Sequence, residues 1–129
     1  DANNVQANIF KGYLDGKEFG SGSGSKLWNH PGDVSIARNR DTKFSPNQDY
    51  NTAKYFSGLI DEVSVFDSEL SSSDVSDIYS GGTPDSLSSL SPVSWWRFEE
   101  GSGTTANDLG SASNTGTLNN NASFSTDVP

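Results

Sequence analysis

The segment from Tyr55 to Phe66, Tyr-Phe-Ser-Gly-Leu-Ile-Asp-Glu-Val-Ser-Val-Phe, constrains this chain more than any other. Successive side chains of an extended strand point to opposite faces. Ile60, Glu62, Ser64 and Phe66 therefore share one face, and Leu59, Asp61, Val63 and Val65 the other. Both faces carry apolar residues, which predicts a strand from Leu59 to Phe66 covered on both sides, as in the middle of a sandwich. The residues that follow, Asp67-Ser68-Glu69-Leu70-Ser71, lead into a short predicted helix over 71–79. Ser71 is its N-cap and Asp74 an acid in its first turn, where negative charge is favoured. Leu70, Val75, Ile78 and Tyr79 fall on one stripe, and Gly81-Gly82 is the expected terminator.

A second segment runs Trp95-Trp96-Arg97-Phe98-Glu99-Glu100-Gly101-Ser102-Gly103-Thr104-Thr105-Ala106-Asn107-Asp108, followed by Asn114-Thr115-Gly116-Thr117-Leu118. The first segment resembles the closing strand of the laminin-G-like, or concanavalin A-like, jelly-roll family, with its phrase F-x-G-x-I-D-E-V and a later L-S. The second resembles the opening of the same family, W-x-F-x-E-G-S-G-T-x-x-x-D and then a G-T-L strand. The family's end thus precedes its beginning, and the usual middle, with its F-D-G-x-D-D turn, is absent. Two arrangements account for this. The chain is a window on a tandem array, or it is a permuted unit whose sheet is completed by a neighbour. The first is preferred. The resemblance implies an all-β, laminin-G-like antiparallel sandwich. Its parts are the C-terminal portion of one sandwich (1–82), a Ser-rich linker (83–92) and the N-terminal strands of the same or a neighbouring repeat (93–129). The fold carries no function by itself, since it hosts adhesins, lectin-like modules, glycosidases and structural proteins.

The other elements follow from local pattern. Ile9 to Leu14 and Lys17 to Phe19 flank Asp15-Gly16, a dipeptide suited to a type I′ hairpin turn. Gly20 to Ser25 reads as a flexible loop. Val34 to Ala37 alternates as a strand, and Arg38 to Lys54 is polar and reads as a long surface loop. Val93 to Phe98 is a predicted strand, with Val93, Trp95 and Arg97 on one face and Ser94, Trp96 and Phe98 on the other. Gly101 to Ala112 is a predicted loop; Thr115 to Leu118 and Ala122 to Phe124 are short strands.

Composition narrows the partners. The 129 residues are 31% hydrophobic, below the roughly 45–50% of ordinary globular chains. Three Trp, four Tyr and seven Phe still allow a small core, because each aromatic buries a large area. A net charge of −9 argues against nucleic acid and against anionic membranes as partners. No apolar run approaches the roughly 20 residues of a membrane span, so membrane insertion is not expected. Cysteine is absent, which removes a disulfide framework, and methionine is absent too, so a start at Asp1 points to a trimmed or processed chain. An acidic composition rich in Ser, Asn, Gly and Thr suits an extracellular, cell-surface or virion-surface setting.

Four functional classes remain to be weighed. Glycosidases of this sandwich place their carboxylates on one strand face, as paired acid and nucleophile chemistry requires. Asp61 and Glu62 are adjacent and so point apart, and His30 has no nucleophile beside it in sequence; no catalytic residue is expected. Calcium takes hard oxygen ligands. The resemblance implies that Asp61 and Asp108, at recurring Asp positions of the closing and opening motifs, are the candidate calcium ligands. The alternative is that Asp61 or Glu62 accepts hydrogen bonds from a loop and that Asp108 makes an Asx turn before Gly110. For glycans, Trp28, Tyr50, Tyr55 and Trp96 are candidate stacking platforms, the alternative being core packing. Trp95 and Trp96 face opposite ways, so one suits the core and the other the surface. For assembly, a sandwich short of strands exposes edges that pair with other chains; the alternative is that both halves pack together within one chain. The reading is a non-catalytic structural or adhesive module, a repeat in a fibre, appendage or decoration protein, with copies of itself or adjacent repeats as partners and surface glycans as further candidates. The runner-up is a calcium-dependent carbohydrate-binding module of a secreted protein.

Overall fold

The computed structural model of the chain describes residues 9–23, 35–39, 54–80 and 86–127. Among these residues the strands form small two-stranded antiparallel sheets, accompanied by one short α-helix. The fold is β-rich, as the sequence predicts. Two compact units divide the chain, one of residues 29–60 and one of residues 1–28 with 61–129.

In the smaller unit, β3 (Arg38–Asn39) pairs with β4 (Lys54–Tyr55). The ladder is extended by a hydrogen bond from the Phe56 N–H to the Ala37 carbonyl, 2.9 Å. The strand expected over 34–37 is displaced, because Ala37 takes a left-handed φ of 63° and pairing begins only at Arg38. The two ends of the expected polar loop 38–54 are therefore strands; its middle lies outside the described residues, as do Trp28, His30 and Tyr50.

In the larger unit, β1 (Ile9–Leu14) and β2 (Lys17–Ser23) form the expected hairpin. Asp15 and Gly16 have φ of 51° and 69°, the two positive values a type I′ turn needs. The strand runs on through Gly20 to Ser23, where the composition suggests a loop. Cross-strand packing explains part of this. A Cβ on Gly12 would lie 2.6 Å from Cζ of Phe19, so the Phe19 ring covers the glycine.

The helix α1 (Ser72–Tyr79) begins where predicted. Ser71 Oγ accepts from the Asp74 N–H at 3.1 Å, and Asp74 Oδ2 accepts from the Ser71 N–H at 2.8 Å, a reciprocal capping box. The hydroxyl and N–H of Ser71 hold the Asp74 carboxyl below its ordinary range. The helix ends one residue early for the glycine pair. Ser80 takes the left-handed position, at φ 39° and ψ 40°, and donates its N–H to the Ser76 carbonyl. Tyr79 packs against the hairpin turn, within 3.0 Å of where a Gly16 Cβ would lie.

The expected strand 59–66 is shorter than its pattern. Only Val63–Val65, β5, is extended. Glu62 breaks the alternation with φ 50°, its N–H taken by Asp61 Oδ1 at 3.0 Å. Nor is β5 covered on both sides, since Val65 is half exposed. β5 pairs antiparallel with β6 (Ser94–Trp96) in the register Val63↔Trp96, Ser64↔Trp95 and Val65↔Ser94. The closing and opening motifs thus meet within one chain. β6 is short as well, and Phe98 turns left-handed at φ 59°. Beyond it, β7 (Thr105–Ala106), inside the expected loop, pairs with β8 (Gly116–Thr117), and the Leu118 N–H donates to the Thr104 carbonyl at 2.8 Å. No strand forms over 122–124.

The buried residues of the described chain all lie between 87 and 106: Leu87, Pro92, Ser94, Trp95 and Ala106. Part of the Ser-rich linker is therefore core, with Leu87 buried before a 3₁₀ turn at Ser88–Leu90. Gly110 closes this core from the other side of β6. A Cβ there would meet Ser94 Cα at 2.5 Å and the Val93 carbonyl closer still. Gly110→Ala should lower stability by about 1–3 kcal/mol through overpacking. Gly22→Ala, with open space around it, should move it little; denaturant titration of both variants checks the contrast.

Candidate functional site

The polar side chains of the larger unit converge on Trp95. Its ring is buried at 5% exposure, and β6 fixes its direction. A buried indole N–H requires an acceptor. Here it donates to Glu62 Oε2 across the β5–β6 ladder. The other oxygen, Glu62 Oε1, accepts from Arg97 Nε at 3.0 Å. Arg97 stands two residues beyond Trp95 on the same strand face, with its guanidinium carbon 5.4 Å from the Trp95 ring centroid, a cation–π contact. Glu99 Oε1 takes the far end of the guanidinium. The Arg97 proton is held more tightly than usual, first by the hydrogen bond to Glu62; burial opposes this, and attraction to Glu62, Glu99 and Asp61 adds to it. The left-handed turn at Glu62 is the local device that sends its carboxylate towards Trp95 and Arg97.

A second constellation is built on Asp108. Oδ1 accepts from the Trp95 N–H at 2.7 Å and the Gly110 N–H at 2.8 Å, and Oδ2 accepts from the Asn114 N–H at 2.7 Å. The bond to Gly110 is the anticipated Asx turn. Asn114 is fixed again through its side chain, which donates to Ser94 Oγ at 3.2 Å, and through its carbonyl, which accepts from the Trp96 indole at 2.9 Å. Burial disfavours the charge on Asp108, but the three backbone N–H groups and the Ser94 hydroxyl outweigh it and hold the carboxyl below its ordinary value. A third carboxylate, Glu100, ties the loop between β6 and β7, its Oε1 accepting from the Asn107 backbone and side-chain amides at 2.7 and 3.0 Å.

The sequence-derived site residues separate. Asp61 accepts from its neighbour's N–H, and Asp108 serves three others at its own loop. Among the described residues no group of three or more His, Cys, Asp or Glu side chains is placed to hold a metal. Trp95 is the core partner of the tryptophan pair. Trp96 is half-buried, with its indole N–H committed to the chain. Tyr55 lies in the smaller unit, 60% exposed. Sequence reasoning placed Arg97 on the Trp95 face but assigned it no role. The available signal was a charged residue on each of two short apolar strands, Glu62 and Arg97, whose burial requires pairing. Among the described residues no helix is long and apolar enough to cross a membrane.

No family model matches the chain, and neither a curated protein nor a solved structure matches it.

The Asp108 clamp has a testable pH signature. Its folded value lies below the ordinary 3.8, so its stabilisation is present above that value and is lost as pH falls through the folded value. Asp108→Asn presents an amide N–H₂ to one of the three donors and should cost about 1–3 kcal/mol near neutral pH. The variant should also lose less stability than the parent on acidification below the ordinary value, which melting curves over an acid pH series read directly.

Proposed function

We propose that this chain is a non-catalytic structural and adhesive module of laminin-G-like type, its small sheets belonging to an antiparallel jelly-roll sandwich. It serves as a repeat in a fibre, appendage or decoration protein at a cell or virion surface. The observation that carries this reading is the β5–β6 ladder, in which the closing-motif strand pairs with the opening-motif strand, Val63 opposite Trp96. That pairing is what the two resemblances require of one another. The use of carboxylates adds support. Glu62, Glu100 and Asp108 are tied to the chain's own indole, guanidinium and amide donors, which is the work of a scaffold. The calcium-dependent carbohydrate-binding reading draws less support, because Asp108 already accepts three backbone hydrogen bonds and the Trp96 indole is tied to Asn114.

The repeat reading predicts a nearest-neighbour contribution to stability. A tandem fusion of two full chains should melt several degrees above the single chain, and equal melting temperatures would overturn the repeat. The single chain should melt alike in excess calcium and in excess chelator. A rise in calcium, with retention on a glycan array, would transfer the assignment to the carbohydrate-binding module.

A further inference from the structure

We infer that the chain assembles with second copies of itself by donating the block 86–127 onto the Glu62–Val65 segment of a neighbour, head to tail. This deepens the structural-module reading and rests on it.

The block is stabilised from within. It holds the buried Leu87, Trp95 and Ala106, the Asp108 clamp on Trp95, Gly110 and Asn114, and the β7–β8 ladder. None of these involves a residue before 86. Its attachment to the preceding chain is narrow by contrast. The attachment consists of the β5–β6 ladder, the Val93 N–H donating to the Val65 carbonyl at 2.9 Å, and the two oxygens of Glu62 on Trp95 and Arg97. Donors lie in the block, and the acceptor carboxylate lies on the acceptor strand. Such a contact is defined by two local surfaces, and nothing in its geometry depends on which copy supplies each one.

The connection favours exchange. The acceptor segment and the block are joined through α1 and residues 80–86. Ser80 leaves the helix exposed and in the left-handed region without being a glycine, and strain in a connection invites exchange. Residues 80–86 reach about 23 Å when extended, enough to carry the block off its own acceptor. Because acceptor precedes donor in every copy, each molecule receives from one neighbour and gives to another, a heterologous contact that closes into a ring or runs on as a filament.

The test uses the full chain, which has no cysteine of its own. Val65→Cys with Ser94→Cys places a thiol pair across the ladder at a directly opposed position. The protein is oxidised over a series of concentrations and its covalent mass read on non-reducing gels. Exchange predicts linked dimers and larger species whose share grows with concentration. Disulfide-linked monomer alone at every concentration would overturn it, while leaving the tandem-fusion result untouched.

Should the double variant fail to fold, Glu62→Arg and Arg97→Glu full chains are refolded separately and as a mixture. Each alone sets like charges against one another. The mixture restores an acid–guanidinium contact only between copies. One-to-one hetero-assemblies by native mass spectrometry support exchange, and their absence overturns it.

Discussion

The hydrogen bond between the Trp95 indole and Glu62 is the constraint on which the larger unit depends. Trp95 is the largest buried side chain of the described residues, and burying its ring without an acceptor for its N–H would cost more than a surface position. Glu62 supplies that acceptor only by leaving the extended conformation, so satisfying the tryptophan shortens the strand that precedes it. Arg97 then neutralises the carboxylate and lies against the ring. The pair remains partly wet, with Arg97 38% and Glu62 15% exposed along their side chains, so its value lies mainly in fixing register rather than in bare attraction.

A core of this size needs such help. With few apolar residues to bury, the chain uses ionised oxygens to organise backbone. Asp108 joins β6 to two points of the following loop, Glu100 gathers Asn107, and Asp74 closes the helix start. Each of these acids is local to the turn it serves. That pattern explains how an acidic chain can remain ordered over 86–127 while carrying little hydrophobic mass: part of its negative charge is neutralised by hydrogen bonding to amide donors instead of being left to repel.

Local chemistry was well marked in the sequence where one or two residues decide the geometry. Asp15-Gly16 announced its turn, Ser71 and Asp74 their cap, and Asp108 its bond to Gly110. The partition of Trp95 and Trp96 between core and surface followed from strand alternation. Long-range requirements were not legible. The pattern from Leu59 to Phe66 alternates well enough for a full strand, and nothing within it reveals that Glu62 must bend towards an indole 33 residues away. Leu87 lay in a Ser-rich stretch with the composition of a spacer, although one buried leucine was enough to make it core. Ser80 stood before a glycine pair and took the position those glycines were suited to.

Small domains outside the cell commonly hold distant backbone points together with a covalent bond between thiols. Asp108 links three such points here with oxygen and amide alone. The link forms as the chain folds, with no oxidant and no enzyme to rearrange mispaired partners. It is therefore indifferent to the reducing power of the compartment in which the chain is made, and the proton activity of its surroundings is what can undo it.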